Sequence, residues 1–325
     1  MKALRCTATV ASLAVICVIA PLQVHGDGYP ARPVRFINPA AAGSATDVVG
    51  RLVADQLAKR WGQPVITENR PGGGGVVAAQ SAAQASPDGY TLFFAAASAF
   101  VIAPHLHRAL PYEPDRDFVP VGFVAEIPLV IGVRASLPAR SLQDLLALAS
   151  RTPEAIEYAA NAPGSFPHLA AELFARRASV KLTFVPYKGA AAALQDIAGG
   201  RIAMIVEGLS GISGALQSGQ LRALAVTSDK RLPDLPDVPA VSESLPGFSA
   251  VGWFAMFAPA KTPPDVVDRV HADLRAVLAQ PDVISRLQGM GSYPRYMTRE
   301  QLAEYVRSER ALWGSIVRQL DLKTQ

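Results

Sequence analysis

The sequence predicts an α/β protein made of two lobes that are joined by a hinge. The chain has 325 residues, a length that typically corresponds to about two domains. Short apolar runs typical of strands alternate with segments whose apolar residues recur at helical spacing, and this alternation restarts after residue 126. Such an order favours parallel sheets with right-handed crossovers.

The first lobe begins with three predicted strands that are separated by two helices. In chain order these are a strand over 34–37, a helix that ends at Gly62, a strand over 65–67, a helix over 76–85 and a strand over 90–95. The turn signal Ser86-Pro87-Asp88-Gly89 separates the last two. This β-α-β-α-β order indicates one parallel sheet.

A second series of strands and helices predicts a second α/β lobe over 126–249. The predicted strands cover 129–133, 156–159, 182–185, 203–206 and 221–226, and the predicted helices cover 142–150, 169–177, 190–198 and 212–218. Ser141 is a typical N-cap for the first of these helices.

The last part of the chain contains a strand-like segment followed by helices without a sheet of their own. The strand covers 252–258, and the helices cover 265–279, 281–288 and 299–320. We expect these helices to pack on the first lobe, which is then discontinuous, 27–125 plus 250–325. The two crossings between the lobes form the predicted hinge.

Residues 1–26 have the pattern of a signal peptide. Lys2 and Arg5 form a positive segment, residues 8–20 are apolar, and Val24-His25-Gly26 places small residues before a cut near Gly26. The alternative is a leader that stays in place as a membrane anchor. The apolar stretch is short for a membrane span, so we predict cleavage and export.

Composition excludes several classes of protein for the mature chain. Cys6 and Cys17 both lie in the leader, which excludes disulfides, iron–sulfur clusters and thiol catalysis. The net charge of +4 falls to +2 when Lys2 and Arg5 are removed, because no acid precedes Asp27. A balance so close to neutral gives no support for nucleic-acid binding.

The candidate ligand-binding residues lie in loops that join a strand to the start of a helix. Open parallel sheets bind ligands at the carboxyl ends of their strands, and a helix start favours an anion. In the first lobe, Gly43, Ser44, Thr46 and Asp47 occupy such a loop, and Ser98 follows the third strand. Thr46 and Asp47 are alternatively helix caps only.

The second lobe contributes three further loops of this kind. Gly164 and Ser165 precede a helix, and His168 is either a ligand donor or a residue that packs the helix start. Tyr187 and Gly189 lie in the next loop, and Glu207 ends a strand. An acid is unexpected in an anion cleft, so Glu207 pairs with a ligand ammonium, accepts from a protonated carboxyl, or binds the loop backbone.

The sequence predicts neither an enzyme nor a cofactor site. The glycine run 72–75 has no Lys-Ser or Lys-Thr after it, which excludes a typical phosphate loop. No G-x-S-x-G elbow marks Ser98 or Ser165 as a nucleophile, and no metal-ligand spacing is complete.

At the level of motifs, the chain resembles the extracytoplasmic substrate-binding receptors of tripartite tricarboxylate transporters, the Bug family. The resemblance rests on many segments in order, including YPARPVR (29–35), ENRPG (68–72), PDGYTL (87–92), GS with PHL (164–169), VPYKG (185–189), LRALAVT (221–227) and LPDVP (235–239). Each segment alone is weak, but the ordered set covers essentially the whole mature chain.

The resemblance implies a periplasmic protein with the type II periplasmic-binding-protein fold, which holds a small carboxylate between its lobes and works with a membrane permease. It assigns ligand contacts to the loop residues named above other than Ser98, which is a candidate through its position alone. We expect a monomer, because cleft closure needs no second subunit. A ligand sensor for a membrane signalling partner and an exported hydrolase remain the alternative functions.

Two departures from the family pattern concern the ligand. Ser44 and Ala45 stand where relatives often carry glycines, and Phe166 is bulkier than the family loop suggests. We therefore hypothesise a mono- or dicarboxylate smaller than citrate, with an aromatic or aliphatic body.

Overall fold

The computed structural model describes residues 28–151, 156–161, 163–187, 189–320 and 322. The predicted signal peptide, residues 1–26, lies outside the described residues, as does Lys188 of the VPYKG loop. Within the described part of the chain, no helix combines the length and the apolar character needed to cross a membrane.

The described strands form one ten-stranded sheet, and helices alternate with most of them. The strands are β1 (Val34–Asn38), β2 (Val65–Asn69), β3 (Thr91–Ala96), β4 (Phe118–Arg134), β5 (Glu157–Ala160), β6 (Thr183–Pro186), β7 (Met204–Gly208), β8 (Leu221–Val226), β9 (Val251–Pro259) and β10 (Tyr293–Pro294). The helices are α1 (Ala45–Trp61), α2 (Val76–Ala83), α3 (Ala97–Val101), α4 (Ala103–Leu106), α5 (Pro114–Asp117), α6 (Leu142–Arg151), α7 (Phe166–Arg177), α8 (Ala190–Ala198), α9 (Leu209–Gln217), α10 (Pro264–Leu278), α11 (Pro281–Gly289) and α12 (Arg299–Gln319).

The sheet has two halves that share strand β4. In the first half, β1 pairs in parallel with β2 and β3, while β9 runs antiparallel to β3 and β4. In the second half, β5 pairs in parallel with β6 and β7, while β7 and β8 run antiparallel to the end of β4. We call these halves, with their helices, the first and second lobes. The predicted α/β class is confirmed, with antiparallel strands added where the chain crosses between lobes; the lobe boundaries at 126 and 250 stay a prediction.

The crossing strand β4 is much longer than the sequence pattern suggested. The predicted strand, 129–133, is only the end of a strand that begins at Phe118. The earlier part was not predicted as a strand because it contains Pro120, Gly122 and Pro128, and proline and glycine normally mark strand ends. The pairing of β4 with β9 has register shifts after Pro120 and after Phe123, which accommodate Pro120 and Gly122.

Serine N-caps begin two of the long helices at the same edge of the sheet. Ser44 caps α1, where its Oγ accepts from the Asp47 N–H at 3.3 Å. Ser165 caps α7 in the same way, with the His168 N–H as donor at 3.5 Å. Helix α7 consequently starts three residues before the predicted 169, because Pro167 fits the first helical turn.

The C-terminal helices pack mainly on the first lobe. Helix α10 contacts α1 and β4, and α12 contacts α3, α4 and β4. Helix α12 also reaches the second lobe, where the Trp313 ring meets Phe166 edge-on with the ring centroids 4.9 Å apart. The C-terminal helix therefore touches both lobes.

The contact between α12 and α4 depends on a glycine. His105 of α4 lies against Gly314, and its Nε2 is 2.9 Å from the Arg310 carbonyl oxygen, which accepts the ring N–H. A Cβ atom at Gly314 would lie less than 3.0 Å from three atoms of the His105 ring.

We therefore expect Gly314→Ala to lower the free energy of unfolding by about 1–3 kcal/mol, because a methyl group would push His105 away from α12. Gly289→Ala is the matched control, since this helical glycine has open space around it. Its stability should be unchanged or slightly higher, because alanine has the better helix propensity. Urea unfolding followed by circular dichroism measures both, and equal stabilities for the two variants would contradict this account.

Candidate ligand-binding cleft

A cavity of about 1040 Å³ lies where the carboxyl ends of strands from both lobes meet. Strands β3 and β7 end at residues that line it, and Asn161, the residue after β5, lines it too. The N-terminal residues of α1 and α7 line it as well. The lining residues are Ser44–Thr46, Gly73, Gly74, Ala96–Ser98, Ile102, Ala103, Leu106, His107, Ile127, Leu129, Asn161, Pro163–Pro167, Glu207, Gly208, Ser210, Gly252–Phe254 and Leu322. This position matches the general rule for ligand sites in open α/β sheets.

The start of α1 presents Ser44, its N-cap, and Thr46, in its first turn, to the cavity. Gly43 has φ +80°, a left-handed conformation that favours glycine, and its N–H donates to Asp47 Oδ2 at 2.8 Å. Neither Gly43 nor Asp47 lines the cavity. Their role in the structure is to fold the loop that the ligand would meet.

Asp47 holds this loop from inside the protein. Its side chain is 2% exposed, its Oδ2 also accepts from Arg51 Nε at 2.9 Å, and its Oδ1 accepts from Asn69 Nδ2 at 2.7 Å. Burial raises the pKa of Asp47, but the hydrogen bonds from Arg51, Asn69 and Gly43 outweigh it and hold the pKa below its usual value. The carboxylate is therefore charged and its oxygens are engaged by the protein.

The loop before α7 supplies Gly164 and Ser165 to the cavity. Gly164 has φ +78°, and a Cβ atom there would lie 2.7 Å from Leu106 Cδ1 of α4. This glycine therefore allows the second lobe to approach the first one closely across the cleft.

His168 does not line the cavity but supports the α7 loop from behind. Its side chain is buried, Nδ1 accepts from the Gly164 N–H at 3.1 Å, and its ring lies 4.0 Å from the Phe184 ring between centroids. Burial lowers the pKa of His168 to about 4, so the ring is neutral at pH 7. Its Nε2 is 4.0 Å from Glu172 Oε1, and with a neutral ring this contact is not an ion pair.

Glu207 lines the cavity at the end of β7. Its Oε1 accepts from the Gly208 N–H at 2.8 Å, and its Oε2 accepts a longer bond, 3.4 Å, from Asn161 Nδ2. Burial raises the pKa of the Glu207 carboxyl, and these two bonds oppose the rise without cancelling it.

Tyr187 and Gly189 lie outside the cavity lining. The Tyr187 hydroxyl donates to Asp196 Oδ2 at 2.6 Å, and burial together with this bond raises its pKa to about 12. Gly189 is the residue before α8 and has φ +151°. Of the eleven residues predicted from sequence, the structure brings Ser44, Thr46, Ser98, Gly164, Ser165 and Glu207 to the cavity.

Sequence reasoning missed most of the apolar lining. Ile102, Leu106, Trp253 and Phe254 all line the cavity, and Trp253 is otherwise buried in the core. The glycine run 72–75 does not match a phosphate loop, and no ligand role was predicted for it. Gly74 nevertheless lines the cavity, and its carbonyl oxygen accepts from Ser98 Oγ at 2.8 Å. No local signal marks such residues, because they reach the cleft only through contacts between segments that are far apart in sequence.

Comparison with known proteins identifies the family. The family model for the tripartite tricarboxylate transporter family receptor matches residues 49–322 of this chain. The chain belongs to this receptor family. Its members are periplasmic solute-binding receptors rather than enzymes.

Similar curated proteins cover almost the full chain. BugT of Bordetella pertussis is 35% identical over 313 residues, which cover 96% of this chain and 95% of BugT. A protein of the UPF0065 group from Bordetella bronchiseptica is 35% identical over 326 residues, with 98% and 97% coverage.

Solved structures of relatives share the two-lobe architecture. Rpa4515 of R. palustris, solved with adipate, has a TM-score of 0.81 and 32% identity, and the match covers 91% of this chain and all of that one. MatC of Rhodopseudomonas palustris, solved with bound malate, has a TM-score of 0.75 and 32% identity, with 89% and 100% coverage. The predicted type II periplasmic-binding-protein fold is confirmed.

For the loop that leads into α1, we expect Asp47→Asn to lower the free energy of unfolding by about 2–4 kcal/mol. Both carboxylate oxygens of Asp47 accept hydrogen bonds, whereas an asparagine side chain has one oxygen and an NH2 group, so buried donors would lose their acceptor. Asp55→Asn, an exposed position on the same helix, is the control and should be nearly neutral. Chemical unfolding measures both variants. An Asp47→Asn protein as stable as the control would show that the carboxylate does not hold the loop.

For His168, we expect stability to fall as the pH is lowered from about 6.5 to 4. The unfolded chain binds a proton on this histidine in that window while the folded chain does not, so protons favour unfolding. With a folded pKa of about 4, the full effect is roughly 3 kcal/mol. Urea unfolding at pH 7 and pH 4.5 measures the loss of unfolding free energy between the two pH values. This loss should be smaller for His168→Gln than for the unaltered protein or for the control His107→Gln. Equal losses in all three proteins would contradict a buried neutral His168.

Proposed function

We propose that this receptor captures a small organic carboxylate in the cleft and delivers it to the membrane subunits of a tripartite tricarboxylate-type transporter. The observation that carries the proposal is that the N-caps of α1 and α7, one from each lobe, line the same cavity. The first N–H groups of a helix have no partner within the helix, and the helix dipole adds positive potential there. Two such starts favour a negatively charged ligand.

The side chains around these helix starts leave room for close approach. Ala45, Thr46 and Gly164 are small, so a carboxylate oxygen can reach backbone N–H groups. None of the described lining residues is an arginine or a lysine, so backbone and hydroxyl donors are the groups that recognise the acid. The adipate and malate in the two solved relatives are acids of this chemical class.

We assign two kinds of role to the predicted residues. Ser44, Thr46, Ser98, Gly164, Ser165 and Glu207 contact the ligand or its waters. Gly43, Asp47 and His168 position the two loops, and Tyr187 and Gly189 shape the turn before α8.

Ligand binding then favours the closed arrangement of the lobes. A carboxylate that contacts both α1 and α7 gains its full set of hydrogen bonds only when the two helix starts are close together. Gly164 of the second lobe and Leu106 of the first lobe lie close together across this cleft. A single chain completes the cleft, so we expect the receptor to act as a monomer.

The site test introduces a negative charge at the start of α1. Ala45→Asp places a carboxylate on an exposed residue that lines the cavity, where it stabilises the helix start but repels a ligand anion. Val48→Asp is the matched control, because it adds the same charge in the same helical turn on an exposed residue outside the cavity lining.

We expect Ala45→Asp to bind organic acids at least tenfold more weakly than Val48→Asp, with an unchanged or higher melting temperature without ligand. Isothermal titration with a panel that includes adipate, malate, succinate, benzoate, glutamate and phenylalanine measures the affinities. A thermal-shift screen finds the binders first, since a ligand at about 100 times its Kd adds roughly 2.7 kcal/mol. Equal affinity of both variants for a bound acid, or a panel without any binder, would overturn the proposal.

Export is a second part of the proposal and has its own test. The full-length chain, expressed in a Gram-negative bacterium, should be recovered from the periplasmic fraction with its N-terminus at or next to Asp27. Mass spectrometry of the intact protein reads this directly. Retention of residues 1–26 on a membrane-bound product would favour the anchor instead.

A further inference from the structure

Glu207 gives the cleft a feature that anion capture alone does not require. Among the described residues that line the cavity, Glu207 is the one with an acidic side chain, and His107 is the one histidine. A carboxylate here repels a ligand carboxylate placed nearby. The cleft therefore carries an acidic side chain in addition to the two helix starts.

This acidic side chain lies at the start of α9. Glu207 directly precedes the N-cap Gly208, and its Oε1 accepts from the Gly208 N–H at 2.8 Å. Gly211 makes room for the side chain, because a Cβ atom there would lie 3.1 Å from Glu207 Cγ. The protein's own carboxylate thus takes the place at α9 that a ligand anion could take at α1 or α7.

The polar partners of Glu207 compensate its charge only in part. Asn161 Nδ2 is 3.4 Å from Oε2, which is long for a hydrogen bond. The other described neighbours of Glu207 are its strand partner Val130, the N–H donor Gly208, and Gly211, and none of them is a cation. Burial raises the pKa of this carboxyl, which shows that an uncompensated charge is unfavourable there. A cation supplied by the ligand would remove that penalty.

We propose that the ligand of this cleft is an amino-carboxylate, whose carboxylate lies at the starts of α1 and α7 and whose ammonium group lies against Glu207. An ammonium offers three hydrogen-bond donors and a full positive charge, and the oxygens of Glu207 have lone pairs left for it. A ligand hydroxyl could donate one bond but would leave the charge unbalanced. This inference rests on the proposed function and adds the substrate class.

Matched ligand pairs test it, because their members differ only by the ammonium group. The pairs are glutamate with glutarate, 4-aminobutyrate with butyrate, and phenylalanine with 3-phenylpropanoate; the last pair suits the apolar lining at Phe166, Trp253 and Phe254. Isothermal titration is carried out at pH 7 on the mature chain, on Glu207→Gln, on Glu207→Asp and on the neighbouring lining control Ser210→Ala.

We expect the ammonium-bearing member of at least one pair to bind at least tenfold more tightly than its partner. Glu207→Gln should bring that ratio to about one, Glu207→Asp should restore part of it, and Ser210→Ala should keep it. Glu207→Gln without ligand should melt at the same or a higher temperature, since a buried charge is removed while the amide oxygen can still accept from Gly208.

The inference is overturned if the plain acids bind as tightly as their amino partners, or if the preference survives in Glu207→Gln. In both cases acids still bind, so the proposed function stands. If no member of any pair binds, carboxylate capture itself fails and the inference fails with it.

Discussion

The unpaired N–H groups at the starts of two helices are the constraint on which the rest of this receptor depends. A helix start without partners is stable only where caps, water or a ligand supply acceptors. Ser44 and Ser165 each satisfy one N–H of their helix, and both serines line the shared cavity. The fold brings these two starts together because β4 passes through both halves of one sheet, so that strands of each lobe end at the same gap.

Two buried groups of opposite character keep the loops around this gap in place. Asp47 remains charged because three protein donors surround it, and it fixes the α1 loop through the Gly43 N–H. His168 remains neutral because burial disfavours its cation, and it fixes the α7 loop by accepting from the Gly164 N–H. Both act on a glycine in a left-handed conformation, which a bulkier residue would adopt only with strain. The ligand would therefore meet loops that are already shaped, which reduces the entropy lost on binding.

The sequence predicted the element types and the Ser141 cap, whose Oγ accepts from the Asp144 N–H at 3.1 Å, because these depend on neighbours within a few residues. For α1 it offered Thr46 and Asp47 as caps, but the structure has Ser44 as the N-cap. Ser44 and Ser165 stand directly before helical patterns, and the structure has helices there. Tyr187 shows the limit, since its loop was expected at the cleft but its hydroxyl is turned to Asp196 on α8. Trp253 and Leu106 show the same limit from the other side: they line the cavity through contacts between segments far apart in sequence. The length of β4 was missed because two prolines and a glycine hide a strand that only its long-range partners stabilise.

A crystal structure of the receptor with a bound carboxylate tests the central claim most directly. The account predicts that one ligand carboxylate accepts, directly or through a single water, from N–H groups in the first turn of both α1 and α7, at distances of about 2.7–3.2 Å. A carboxylate held outside the gap between the lobes, or held by arginine or lysine side chains with those N–H groups unused, would contradict it.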